Sequence, residues 1–194
     1  MNKKEFIKKS LEDSSQIKLK TLEYCSSDIE KASVTLTDCI RNGGKIMLCG
    51  NGGSAADCQH IATEFVIRLS HNLERPAIPA IALTTDTSNL TAGGNDIGFT
   101  NVFSRSIEAL GKKGDCLIAI STSGNSENII KAVNKSKLLG ITTIGLLGND
   151  GGKIMPLCDM SIVIPTNDTQ RIQESHITVG HILCEIVERE LYEK

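Results

Sequence analysis

The chain has no tryptophan, and its large aromatics are two tyrosines and four phenylalanines. Unpaired nucleic-acid bases need such rings to stack on, so single-strand binding is poorly served. Charge of either sign is not in excess: 21 basic and 23 acidic residues leave a net −2 at pH 7. That balance gives no long-range attraction to nucleic acid or to an anionic membrane. No apolar run approaches the roughly 20 residues that cross a bilayer. The opening MNKKEFIKKSLEDSSQ is charged throughout and lacks the apolar centre of a signal peptide. The cysteines (Cys25, Cys39, Cys49, Cys58, Cys116, Cys158 and Cys184) are odd in number, scattered, and form no C-x-x-C pair. They imply reduced packing residues in a cytoplasmic protein and argue against a thiolate zinc site.

What is present is a rhythm. At 194 residues the length suits one domain with a full core, and no linker or internal repeat divides it. Residues 3–23 and 26–42 carry helical spacing, with Phe6, Ile7, Leu11, Ile17 and Leu22 on one side of the first. Gly43-Gly44 is a helix stop. Short apolar runs then recur at 45–50, 77–84, 115–121, 141–147 and 160–165, with helical segments between them. Such alternation predicts a parallel sheet covered by helices on both faces. Ligands bind such sheets at the carboxyl ends of the strands. The loops to inspect are therefore GNGGS, TTDTS, STSGNS and LGNDGG. A final helix is expected from Thr169 to Glu190, with an apolar stripe of Ile172, Val179, Ile182, Leu183 and Ile186.

GNGGSA (50–55) satisfies the relaxed dinucleotide pattern G-x-G-x-x-A. Dinucleotide binding also needs an acid about 20 residues on, closing the second strand. Glu74 falls before that strand and Asp86 too far beyond it. No G-x-x-x-x-G-K-[ST] occurs, which excludes a P-loop. The plainer expectation is a strand-to-helix turn with Ser54 as N-cap and Asp57 closing a capping box. STSGNS (121–126) is more telling. One hydroxyl would suffice for a cap. Ser121, Thr122, Ser123 and Ser126, with the N–H groups of a helix start, suit a phosphate.

His60 and Glu64 are four residues apart and share one helix face, away from Cys58, Ala62, Phe65 and Leu69. Alone they resemble a solvated pair of small energetic weight. Gln173 and His181 lie on the flank of the last helix's apolar stripe, while His176 lies nearer the stripe and suits packing. His60, Glu64, Gln173 and His181 together could bind a divalent metal such as zinc. Residues 173 and 181 are about 12 Å apart along a helix, so one metal on both requires converging side chains, a distorted helix or two subunits.

GNGGSAADCQH-x3-E, the GND at 94–96, STSGNS and RIQE-x6-H at 171–181 together strongly resemble the bacterial phosphoheptose isomerases of the sugar isomerase (SIS) superfamily. The match spans essentially the whole chain. It implies a single SIS domain over 1–194, with a three-layer αβα sandwich around a flavodoxin-like five-stranded parallel sheet. It also implies N-terminal helices over 1–42 in oligomer contacts, and a homotetramer with its sites near subunit interfaces. The implied reaction interconverts sedoheptulose 7-phosphate and D-glycero-D-manno-heptose 7-phosphate, the first step toward activated heptose for lipopolysaccharide core or another surface glycan. By motif, Asn51, Gly52, Gly53, Ser54, Glu64, Asn95, Asp96, Ser121, Thr122, Ser123, Ser126 and Gln173 line the substrate site. His60, Glu64, Gln173 and His181 resemble one zinc site per subunit, and Glu64 and His181 resemble the catalytic pair. A metal-bound carboxylate is a poorer base, so the two roles of Glu64 compete. Gln170 stands where some relatives carry an acid. The rival is a non-catalytic SIS protein that binds a sugar phosphate as a signal or binds a replication initiator. Such proteins tend to lack the acid–base set kept here as His60, Glu64 and His181.

Overall fold

The computed structural model describes residues 1–193. Five strands form one parallel sheet: β1 (Ile46–Cys49), β2 (Ala80–Ala82), β3 (Cys116–Ser121), β4 (Thr142–Leu147) and β5 (Met160–Val163). Their order is β2-β1-β3-β4-β5, the flavodoxin-like order. The helices are α1 (Lys3–Arg41), α2 (Gly53–Val66), α3 (Thr87–Asp96), α4 (Val102–Leu110), α5 (Glu127–Leu138) and α6 (Thr169–Tyr192). The expected αβα sandwich is what forms.

Strand side chains alternate between the two layers, as a pleated strand requires. Ile46, Leu48, Ile118, Ile120, Ile144 and Leu146 face a core built with α1, α2 and α6. Met47, Cys49, Leu117, Ala119 and Leu147 face a second core with α4 and α5. With both faces covered, β1 and β3 are buried at every position and read as unbroken apolar runs. Six of the seven cysteines are buried and Cys158 is partly so. At the opposite end from the strand carboxyl termini, buried Asp115 ties β1 to β3. It accepts from the Lys45 N–H at 3.0 Å and pairs with the Lys45 ammonium at 2.6 Å.

Two expectations are corrected. The N-terminal segment is one helix of 39 residues rather than two. Tyr24-Cys25-Ser26 contains no glycine or proline to break it, and Cys25 is buried in the core with its Sγ 3.2 Å from the Val163 carbonyl. The second half of α1 packs on the sheet, while Phe6, Ile7, Leu11 and Leu22 on its first half remain exposed. The run at 77–84 yields a strand of only three residues. Pro79, just before it, has no N–H to offer a ladder, and β2 sits at the sheet edge where that is tolerated.

His176 on α6 is fully buried, with its Nε2 3.0 Å from the Leu147 carbonyl and its Nδ1 unpartnered. Burial lowers this imidazole to a pKa of about 4, and the hydrogen bond only partly opposes the effect. The folded form therefore refuses a proton that the unfolded chain takes up near pH 6.5. Stability from this group is complete above that pH and falls as pH drops toward 4, by about 3 kcal/mol. Urea unfolding of His176→Phe is expected to lose less stability than the parent between pH 6.5 and 4. Equal losses would show that His176 does not titrate this way.

Candidate active site

The sheet order reverses between β1 and β3, the switch point outside whose carboxyl strand ends open α/β sheets bind ligands in a crevice. The loop after β1 carries residues 50–52, and the loop after β3 carries 122–126, with Ser121 closing the strand. The fold thus brings the two glycine- and hydroxyl-rich motifs to one place.

Gly52 caps α2 with φ +55°, a backbone shape that glycine adopts without strain. Its carbonyl accepts from the N–H groups of Ala55 and Ala56 at 3.0 and 3.2 Å. The helix therefore starts before Ser54, and no side chain caps it. The expected Ser54 cap and Asp57 capping box do not form. Ser54 is buried inside the first turn, and Asp57 Oδ2 is buried without a hydrogen-bond partner. Burial raises the Asp57 carboxyl above its ordinary pKa, opposed by nearby His60.

At the second loop, Ser126 is the N-cap of α5, yet its hydroxyl does not bond the helix. It lies 3.3 Å from the Ser121 hydroxyl instead. Hydroxyls and an uncapped helix start therefore face the same crevice, as an anion site requires. The loop is braced from behind: Asn149 Nδ2 donates to the Thr122 carbonyl at 2.9 Å and Ile154 N–H to the Gly124 carbonyl at 2.9 Å. The N–H of Asn125 donates to the Ser123 hydroxyl at 3.2 Å. Asn51 and Asn128 exchange two amide hydrogen bonds of 2.9 and 2.8 Å, fastening the first loop to the second. Asn128 escaped sequence reasoning. Its only signal is an amide in the first turn after the hydroxyl run.

Along α2 and α6 the third element of the site forms. The helices run parallel: Gly53 lies against Gln173, Ile61 against Gly180, and Leu69 against Glu188. His60 and His181 face one another with Nε2 atoms 2.8 Å apart, and Glu64 Oε1 is 3.2 Å from His60 Nε2. One ligand atom from each of the three lies within 4.8 Å of the others. All three come from a single chain. Gln173 is placed at the glycine-turn end of the helix pair, where a Cβ on Gly53 would overlap its amide. Gln173 and His181 both lie on α6, with backbones about 12 Å apart along its axis. Asn95 and Asp96 lie exposed at the end of α3, bonded to each other at 2.7 Å. Gln170 accepts from Arg171 at 3.3 Å.

Two imidazole nitrogens and a carboxylate oxygen are a donor set of catalytic zinc sites, which leave a further position open. Two facing imidazole nitrogens cannot both be lone-pair acceptors of one another, so either one holds a proton or a cation sits between them. The residues present fit a divalent metal.

The SIS domain family profile matches residues 11–148. A phosphoheptose isomerase of Aliarcobacter butzleri is 55% identical over 172 residues, 89% of this chain and 90% of that protein. This chain belongs to the phosphoheptose isomerase family of SIS-domain proteins. Among solved structures, the phosphoheptose isomerase of Neisseria gonorrhoeae is 41% identical with a TM-score of 0.89, covering 95% of this chain and 97% of that one. That of Francisella tularensis is 35% identical with a TM-score of 0.93, covering 97% and 100%.

A phosphoheptose isomerase site of this shape makes a sharp demand at Gly53. Gly53→Ala places its methyl against the movable amide of Gln173, not against backbone, and alanine is a better helix former. The variant should keep the parental thermal midpoint while its KM for sugar phosphate rises. A parental KM would show that Gln173 and the glycine turn do not line the substrate.

Proposed function

We propose that this isomerase interconverts sedoheptulose 7-phosphate and D-glycero-D-manno-heptose 7-phosphate, with Glu64 and His181 as its acid–base pair. The observation that carries the assignment is the convergence of Glu64, His60 and His181 on one helix pair. That pair starts at the crevice holding the phosphate-type loop. Moving a carbonyl between C1 and C2 needs a base that takes a proton from one carbon and returns it to the next. Glu64, with a side chain 18% exposed, suits that transfer. His181 suits proton exchange at the oxygens, since an imidazole nitrogen can both give and take a proton. The substrate phosphate, remote from the reacting carbons, seats on Ser121, Thr122, Ser123 and Ser126 and the start of α5. Its binding energy holds the carbonyl end toward α2 and α6. Asn51, Gly52, Gly53, Ser54, Asn95, Asp96 and Gln173 are assigned to the sugar by motif. His60, Glu64 and His181, with Gln173 as the fourth candidate, would hold zinc, which when bound polarises a carbonyl and stabilises negative charge on an enediolate.

The homotetramer is what the family resemblance implies, and two observations support burial of this chain against further copies. The exposed Phe6, Ile7 and Leu11 lie on α1, and an apolar groove of about 260 Å³ between α1 and α6 is lined by Leu22, Ile29, Val179, Ile182 and Ile186. Such a strip suits burial against another copy. The buried thiols and the absence, among the described residues, of any helix long and apolar enough to cross a membrane suit work in the cytoplasm. The product is assigned to activated heptose for a surface glycan. The non-catalytic SIS alternative leaves the His60–Glu64–His181 convergence without a task.

The decisive experiment incubates the protein with sedoheptulose 7-phosphate, with and without chelator, and follows the aldose by NMR. Aldose should accumulate, and chelator should suppress it reversibly on adding zinc. Glu64→Gln is expected to lose turnover by at least about 100-fold while still binding sugar phosphate. Near-parental turnover would remove Glu64 from the mechanism. Ser126→Ala should chiefly weaken substrate affinity, and unchanged affinity would count against the phosphate cradle.

A further inference from the structure

Arg75 lies between α2 and β2, in a segment without regular structure. Its side chain is wholly buried, as is that of Glu188 on α6 but for 3%. The guanidinium donates through Nε to Glu188 Oε1 at 2.7 Å, and through Nη2 to the same oxygen. It also donates through Nη1 to the Pro76 carbonyl at 2.9 Å and through Nη2 to the Glu64 carbonyl at 2.8 Å. Glu188 Oε1 accepts from the Leu69 N–H as well, at 3.2 Å.

The Glu64 carbonyl belongs to the last turn of α2, where a helix has no partners of its own for its carbonyls. Ile67 N–H serves Thr63 and Ile78 N–H serves Phe65. Glu64 is served by Arg75. Its anchor, Glu188, stands seven residues after His181 and so on the same stripe of α6. One buried fork thus joins the backbone of Glu64 to the helix that carries His181.

A buried ion pair is a weak source of stability, because desolvation offsets its attraction and apolar replacements are often neutral. What a planar guanidinium supplies is direction, holding several acceptors at fixed angles. We infer that Arg75 and Glu188 are a positioning pair for the isomerase step: they fix the last turn of α2 on α6 and thereby set the separation of Glu64 and His181. This rests on the assignment of Glu64 and His181 as the acid–base pair.

The test uses Arg75→Lys, whose single ammonium cannot span Glu188 and the Glu64 carbonyl together, and the apolar pair Arg75→Met/Glu188→Leu. Arg41→Ala is the control, because Arg41 also reaches α6, through Glu190 at 3.4 Å, but from a half-exposed position. In folded Arg75→Lys and in the apolar pair, kcat should fall about 10- to 100-fold with KM unchanged, since the phosphate loop is elsewhere. Zinc affinity by chelator competition should fall about 10- to 100-fold as well, because its donors sit on both joined helices. Arg41→Ala should keep parental values. Parental kcat or parental zinc affinity in either folded variant overturns the proposal. So does a fall in kcat that only follows loss of folded protein. Glu64→Gln run alongside separates the two ideas: if it stays active, the assignment of Glu64 fails, whatever Arg75 does.

Discussion

Helices α2 and α6 lie close because of what their contact surfaces lack. A Cβ on Gly180 would come within 2.6 Å of Ile61, and one on Gly53 would overlap the Gln173 amide. A side chain at Gly180, against buried Ile61, would force the axes apart, and cores resist even a methylene of misfit. With the axes held close, two imidazoles from different helices reach 2.8 Å and a carboxylate joins them. The phosphate-type loop, the glycine turn and the outer layer of the sandwich are arranged around that contact.

Labour in the crevice is divided by element. The loop after β3 offers hydroxyls and an uncapped helix start, features suited to a group that does not change during reaction. The α2–α6 pair offers groups that can exchange protons. The reciprocal amides of Asn51 and Asn128 fasten one part to the other, so both are referenced to the carboxyl ends of β1 and β3. Rigid elements rather than free loops thus carry His60, Glu64 and His181, which suits chemistry sensitive to fractions of an ångström.

Several buried polar groups sit where two elements must keep register. Asp115 joins the starts of β1 and β3, and His176 joins α6 to the end of β4. Arg75 and Glu188 join α2 to α6. Each takes a partner from a distant part of the chain, so none has a local pattern by which it could be foreseen. Arg75 sits in an irregular segment beside prolines, and Glu188 reads as one more charge on a helix surface.

Much of the fold was legible because it depends on local regularities. Five short apolar runs between helices can bury themselves only as a covered parallel sheet, and the glycine and hydroxyl motifs fall where such sheets bind ligands. The SIS and phosphoheptose isomerase resemblance was likewise carried by contiguous motifs. Local signals misled where two structures were equally compatible with them. Helical spacing over 3–23 and 26–42 predicts two helices, whereas the core contact of Cys25 keeps α1 continuous. Ser54 and Asp57 matched a capping box, whereas the positive φ of Gly52 starts the helix earlier. Sequence by itself determined the elements, the family and the residue types at the site, because each rests on neighbours in the chain. Only the tertiary structure decided that His60, Glu64 and His181 meet within one chain, that Gln173 lies against Gly53, and that Arg75 reaches the Glu64 carbonyl. Those facts depend on how closely two helices more than 100 residues apart can pack, a matter of excluded volume between side chains distant in the chain.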